Sequence, residues 1–317
     1  MSDSAVLEKV KKTISDLQER RFIFIRDVAT LEAKLERLCD ETTSAVQVRN
    51  RPHCSCAIDV VSDFDFTISK YANSTGERLW TTHDVFDQGI RVIKMELYEE
   101  VQALRAKYLP IEFSTEMSIE EKIPHMETWW RLAHACIVRA GFSRADLKTL
   151  ASVARIELRN GFTEFLNWAE KNGVPVTIFS AGIANIIREL FNHRVGRVPL
   201  NMRVIGNEFS FDEFGVVCGF FEPLIHTYNK NISAIKCKDD FMGSLKDRRN
   251  VVLFGDTLGD ARMDLGIDES ERILKIGFLN HTVDGMKESY MRAYDVVISD
   301  PSDFNTASEL LFSLLGR

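Results

Sequence analysis

An α/β fold with a mainly parallel sheet, helices on both of its faces and a helical insertion after the first strand is predicted by three observations. Short apolar runs at Ile58–Val61, Val174–Phe179, Val251–Phe254, Ile273–Phe278 and Asp295–Ile298 alternate with helical or turn segments. That alternation builds parallel sheets, because the crossover between parallel strands is usually a helix. Residues 71 to about 160 break the pattern, since apolar positions such as Val92, Met95, Leu97, Val101 and Leu104 keep helical spacing and strand-like runs are few. Two of the runs lead straight into acidic motifs, Asp63-Phe64-Asp65-Phe66-Thr67 and Gly255-Asp256-Thr257-Leu258-Gly259-Asp260. Their carboxylates therefore emerge at the carboxyl ends of strands, where open α/β sheets hold their ligands.

From Leu7 to Leu38 the chain has neither Gly nor Pro, and apolar residues recur at Leu7, Val10, Ile14, Leu17, Phe24, Val28, Leu31, Leu35 and Leu38. This heptad-like stripe predicts an amino-terminal helical segment over residues 1–45, with a bend at Arg20-Arg21. Packing against the rest of the same chain, as a monomer, is the expected arrangement; a homodimer through the stripe is the alternative. The first strand falls in residues 46–70, the opening part of a core domain, and the helical insertion forms a cap over residues 71–160. Within it, Ser118-Ile119-Glu120-Glu121 has the pattern in which serine and glutamate satisfy each other's unpaired amide at a helix start. The core resumes over residues 161–317 with a helix at Phe162–Lys171 stopped by Asn172-Gly173, a strand to Phe179 and a helix through Ile183–Phe191. A hairpin of Phe209–Phe214 with Val216–Phe221 turns at Gly215.

At 317 residues, with 45% hydrophobic and 27% charged residues, the chain can bury a full core. A formal charge of −7 and the lack of a Lys/Arg block argue against nucleic acid as the main partner and favour a small ligand. No apolar stretch approaches the roughly 20 residues of a membrane span, and the start, Met1-Ser2-Asp3-Ser4, lacks the basic and apolar regions of a leader. A soluble, cytoplasmic protein is expected. The six cysteines show no Cys-x-x-Cys spacing, so reduced thiols are expected. His53-Cys54-Ser55-Cys56 has no second ligand pair at finger-like spacing, and reads as a loop into the first strand rather than as half of a zinc site.

The acidic motifs suit attack on a phosphate monoester. Its oxygens repel an incoming anion, so a carboxylate nucleophile needs a metal beside it and a proton for the departing oxygen. Asp63 would attack phosphorus, while Asp65 would protonate the leaving alkoxide and later deprotonate the water that hydrolyses the aspartyl-phosphate. Ser180, directly after the strand ending at Phe179, and the Ala181 amide would meet phosphate oxygens at a helix amino terminus. Lys230 would supply a cation to the transferring group. Asp256 is the expected direct ligand of a hard cation, and Asp260 would either hold Lys230 or act through water. A lone Asp-x-Asp is usually a surface turn and a lone lysine a solvated one; these pieces gain meaning from occurring together.

In this order, Asp-x-Asp-x-Thr, a serine at a strand end, a lysine and Gly-Asp-x-x-x-Asp resemble the motifs of the haloacid dehalogenase superfamily of phosphatases. The segments Val61–Ser69, Ile178–Ile183, Leu224–Asn231, Gly255–Asp260 and Ile273–Asn280 are similar to its pyrimidine 5′-nucleotidase family, from about residue 56 to near the carboxyl end. The resemblance implies a Rossmann-like core, a helical cap that selects substrate, Mg²⁺ held by Asp63, Asp65 and Asp256, and a nucleoside 5′-monophosphate as substrate.

In the cap, Ile123–His134 is similar to the type within that family that prefers 7-methylguanosine monophosphate over pyrimidine nucleotides such as CMP. Trp130 stands where the pyrimidine-favouring type carries tyrosine, and Ala133 where it carries serine. The resemblance also places Glu112 against the base, where a carboxylate could accept from two guanine N–H groups. Neighbours on a helix point about 100° apart, so only one of Trp129 and Trp130 is expected to line the pocket. An indole is the best aromatic face for a cationic methylated guanine. Two rival readings stay open: a small-metabolite or protein phosphatase of the same fold, and a catalytically silent protein whose amino-terminal helix binds partners.

Overall fold

The computed structural model describes residues 3–47, 58–114, 116–231, 250–264, 273–281, 286–300 and 303–315. The strands are β1 (Ile23–Ile25), β2 (Ile58–Ser62), β3 (Val176–Ile183), β4 (Met202–Asn207), β5 (Phe209–Phe211), β6 (Val217–Phe220), β7 (Asn250–Gly255), β8 (Ile273–Phe278) and β9 (Val296–Ile298). Among the described residues seven of them form one sheet in the order β1-β9-β8-β7-β2-β3-β4, while β5 and β6 form the expected hairpin. Every pairing in the large sheet is parallel except β1 with β9. His53, Cys54 and Cys56 lie outside the described residues.

Side chains alternate across this sheet, so each strand feeds two cores. Val60, Val252, Leu274 and Val296 face one side with helices α1 (Asp3–Gln18), α2 (Val28–Gln47), α7 (Phe162–Lys171), α8 (Ala184–Arg194) and α10 (Asn305–Leu315) contributing apolar residues. Val61, Leu253, Ile273 and Val297 face the other, with Tyr290 and Tyr294 from α9 (Met286–Ala293) and the segment after it. Burial on both faces explains why these strands read as near-continuous apolar runs.

Between β2 and α7 the chain forms α3 (Thr82–Ile93), α4 (Met95–Glu112), α5 (Ile119–Ala140) and α6 (Arg144–Val153). These are the helices expected from the spacing in residues 71–160. The Ser118 box is made as read: its hydroxyl accepts from the Glu121 amide at 3.2 Å while Glu121 Oε2 accepts from the Ser118 amide at 2.8 Å. Val92 and Met95 do not share a buried stripe, however. They flank Lys94, where α3 ends and α4 begins, and both are exposed.

The amino-terminal stripe is corrected in one respect. Arg20-Arg21 marks a full break, after which Ile23–Ile25 form β1 on the edge of the core sheet rather than continuing a helix. The residues are β-branched and aromatic, and pairing with Val296–Ile298 outweighs local helical spacing. Val10, Ile14, Leu17, Leu31, Leu35 and Leu38 are all buried within the chain, with α1 and α2 packed on each other and on α10. Strand β4 was not legible from its short run, Met202-Arg203-Val204-Ile205-Gly206-Asn207, in which an arginine and a glycine interrupt the apolar positions.

Candidate active site

The chain runs β2, β3, β4 in one direction across the sheet, then returns to place β7 on the other side of β2. Order reverses at the β2/β7 boundary, and in open sheets that is where ligands bind. Asp63 leaves the end of β2 there and Asp256 leaves the end of β7. The Asp63 amide donates to the Phe254 carbonyl at 3.0 Å, which fixes the two acidic loops against each other.

The loop after Asp63 is under backbone strain. Phe66 has φ +64°, a conformation that typically costs a bulky residue about 1–3 kcal/mol. Its amide donates to Ser69 Oγ at 2.8 Å, and its carbonyl accepts from Arg159 Nη2 at 2.7 Å and Asn280 Nδ2 at 3.0 Å. Arg159, only 2% exposed, also donates to the Thr67 and Asp300 carbonyls and to Asn280 Oδ1. The pair therefore holds the turn that carries Asp63 and Asp65. Neither residue was assigned this work from the sequence, because an arginine between Leu158 and Asn160 reads as an ordinary surface cation.

Asp63, Asp256 and Asp260 each offer a carboxylate oxygen within 4.8 Å of the others. Asp260 is already saturated: Oδ2 accepts from the Thr257 amide at 2.9 Å and its hydroxyl at 2.7 Å, while Oδ1 accepts from Lys230 Nζ at 2.5 Å. Lys230 Nζ also reaches Asp63 Oδ1 at 2.5 Å. Burial disfavours the ammonium, but Asp260 and Asp63 more than offset it and raise the lysine pKa. Gly255 makes this packing possible, since a Cβ there would lie 2.3 Å from Asp260 Cβ.

Asp256 differs from Asp260. Its oxygens have long partners, Thr67 Oγ1 and Asn280 Nδ2, both at 3.3 Å. Burial, then repulsion from Asp260 and Asp63, holds its pKa well above the carboxylate range. Burial likewise pushes Asp63 up to about 6 against the pull of Lys230. An all-oxygen, electron-rich cluster in this state fits a hard divalent cation, which would restore charge balance. The side-chain carboxylate grouped with Asp63 and Asp256 is that of Asp260, whereas the Asp65 side chain turns to Thr82. The Thr82 amide donates to Asp65 Oδ1 at 2.9 Å and its hydroxyl to Oδ2 at 2.7 Å. Burial and the Asp63 charge raise Asp65 to about 7, with Thr82 opposing.

Ser180 and Ala181 also need correction. Strand β3 runs on to Ile183, with its register shifting between Phe179 and Ile183, and α8 begins at Ala184. Ser180 thus lies inside an irregular strand end rather than at a helix start. Its hydroxyl accepts from the Gly182 amide at 2.9 Å, and the Ala181 carbonyl accepts from Asn207 Nδ2 and Trp130 Nε1.

Asp63, Asp65, Ser180, Ala181, Lys230, Asp256 and Asp260 open onto a cleft of about 530 Å³ between sheet and insertion, within the usual range for small-molecule sites. The far wall holds Glu112, Trp129 and Trp130. Both tryptophans line it, against the expectation of one: the long indoles converge edge to face at 5.1 Å, Trp129 stacked on Tyr108 and Trp130 beside His83. Burial lowers His83 to about 4, so it stands neutral there. Glu112 Oε1 accepts from Thr227 Oγ1 at 2.7 Å, and burial raises its pKa.

A parallel sheet whose reversal point gathers a carboxylate pair, a buried lysine and a further aspartate, beneath a helical insertion, defines a phosphatase of the haloacid dehalogenase class. Within that class the chain belongs to the pyrimidine 5′-nucleotidase family, whose model matches residues 66–315. Asp63 and Asp65 lie just ahead of the matched span. The chain is 40% identical over 254 residues to a Caenorhabditis elegans protein named "Putative cytosolic 5′-nucleotidase 3", covering 80% of this chain and 68% of that one. It is 35% identical over 258 residues to the 7-methylguanosine phosphate-specific 5′-nucleotidase of Homo sapiens, covering 81% and 85%. The crystal structure of cytosolic 5′-nucleotidase IIIB bound to cytidine superposes with a TM-score of 0.81 at 26% identity, over 95% of this chain and 96% of that one.

Proposed function

We propose that the protein is a Mg²⁺-dependent 5′-nucleotidase that cleaves nucleoside 5′-monophosphates through a phosphorylated Asp63. The observation that carries this reading is one cleft lined at once by Asp63, Asp65, Lys230 and Asp256 and by Glu112, Trp129 and Trp130. One half suits phosphoryl transfer and the other a base. A bound Mg²⁺, held by Asp63 and Asp256, would neutralise charge on the transferring group.

Asp63 Oδ attacks phosphorus, held beside Lys230, whose charge shifts toward the phosphoryl oxygens as the bond to the leaving oxygen breaks. Asp65, near 7, is poised to give that oxygen a proton at neutral pH. It then takes a proton from the water that attacks the aspartyl-phosphate, returning both carboxylates to their starting state. Ser180 and Ala181 border the phosphate end of the cleft.

For the base, the reading is 7-methylguanosine monophosphate first and pyrimidine monophosphates such as CMP second. A methylated guanine is cationic, and stacking on Trp130 beside neutral His83 adds about 0.5–2 kcal/mol. Glu112 keeps Oε2 for the base while Thr227 holds Oε1. Trp130→Ala is expected to erase the preference for 7-methylguanosine monophosphate over GMP, a change of about 5–30-fold carried mainly by KM. Phosphate release across a panel including 7-methylguanosine monophosphate, GMP, CMP and phosphoserine checks this; a phosphoserine preference would overturn the nucleotidase reading, and an unchanged ranking in Trp130→Ala only the base assignment.

The reading extends to a cytoplasmic monomer. No helix among the described residues is long and apolar enough to cross a membrane, and most of the stripe on α1 and α2 is buried inside the chain, with Val28 left exposed. Sedimentation is expected to give a monomer; a stable dimer lost when residues 1–20 are removed would overturn this.

A further inference from the structure

We infer that Thr82, the first residue of α3, is the positioning residue for the acid Asp65, so that the acid is complete only when the helical insertion is seated on the core. This rests on the phosphatase reading above. Thr82 has no exposed surface, and both of its donors serve one carboxylate, the amide to Oδ1 and the hydroxyl to Oδ2. A carboxylate held at both oxygens by one residue has a single orientation, whereas one hydrogen bond would leave it free to rotate.

Local structure explains why the donors are free to do this. Thr81 caps α3, its hydroxyl taking the Asp84 amide at 3.2 Å, and the Asp84 carboxylate returns to the Thr81 amide at 2.9 Å. The Thr82 amide is therefore one of the first-turn donors that the helix itself cannot satisfy, and Asp65 satisfies it. The core makes room for the arrangement, because Gly182 lies against both partners. A Cβ there would stand 2.1 Å from Thr82 Oγ1 and 3.0 Å from Asp65 Oδ2. The same insertion is fastened to the core elsewhere, by Trp130 Nε1 to the Ala181 carbonyl and by Thr227 to Glu112. The base-binding wall and the orientation of the acid thus both depend on how the same insertion, through α3, α4 and α5, sits on the core.

The test compares two substrates by kcat/KM, which covers only the steps up to formation of the aspartyl-phosphate. A nucleoside monophosphate releases an alkoxide that needs a proton; p-nitrophenyl phosphate releases a phenolate that does not. Thr82→Val is expected to lower kcat/KM for the nucleotide by about 10–100-fold, part of the 10²–10⁴-fold that general acid help supplies, and for p-nitrophenyl phosphate by about threefold at most. Thr82→Ser is expected to restore the nucleotide rate. An equal loss on both substrates, or none on either, would overturn the positioning role, and if Thr82→Val does not fold, Thr82→Ala is read on the same pair. Wild-type protein inert toward both the nucleotides and p-nitrophenyl phosphate would instead sink the underlying phosphatase reading.

Discussion

Asp63→Asn is expected to reduce phosphate release to assay background while leaving the fold intact. The amide keeps the volume and can still accept from Lys230 through its oxygen, but it lacks the charge to attack phosphorus. Asp65→Asn is expected to fall less far, by about 10²–10⁴-fold, because it removes proton transfer and not the nucleophile. Trapping with trifluoroberyllate followed by crystallography checks the assignment: an adduct on a residue other than Asp63 would refute it. The partial loss at Asp65 should also deepen with the basicity of the leaving group.

The second large effect concerns the cation. Chelation is expected to abolish activity and added Mg²⁺ to restore it, since Asp63, Asp256 and Asp260 crowd three carboxylates within 4.8 Å and Lys230 pairs directly with Asp63 and Asp260 but not with Asp256. Asp256→Ala is expected to raise the Mg²⁺ requirement by more than about 10-fold, the lower end of the cost of losing even an outer-shell partner, or to remove activity. Isothermal titration with Mg²⁺ gives the same comparison without turnover. Full activity in excess chelator would exclude the metal-dependent mechanism.

How much of this was legible in the sequence follows from how local each feature is. Asp63 and Asp256 could be placed because a strand and the residue that leaves it are adjacent in the chain, whereas Asp260 stayed open between holding Lys230 and acting through water, because Lys230 lies 30 residues away from it. The position of β1 could not be read. Three residues with acceptable helical spacing became a strand only because Val296–Ile298, at the far end of the chain, offered an edge. Ser180 was displaced by the same kind of cause: β3 continues because β4, itself unrecognised, pairs with it as far as Asn207.

The cleft shows a subtler gap. Rotation by about 100° per residue is correct for the Cα–Cβ bonds of Trp129 and Trp130, yet it does not fix where the ends of long side chains arrive. Both indoles bend into the same space, stabilised by Tyr108 and His83. Thr82 escaped notice because its partner is 17 residues away and across the boundary between core and insertion. In Thr81-Thr82-His83-Asp84 the sequence offers two adjacent threonines, and only the structure distinguishes the one that caps the helix from the one that turns to Asp65.

The edge pairing of β1 with β9 has a consequence for how the molecule comes into being. Arg20 donates to Thr306, a separation of 286 residues, and α1 and α2 bury their apolar stripe partly against α10. The segment that carries α1 and α2 therefore waits for α10, which is made long after it. Contacts of such range are slow to form, and at about 5–20 residues per second the delay for this length is on the order of tens of seconds. Throughout that interval Val10, Ile14, Leu31 and Leu35 lack part of their final cover, so the nascent chain carries an exposed greasy arm that only the arrival of α10 can put away.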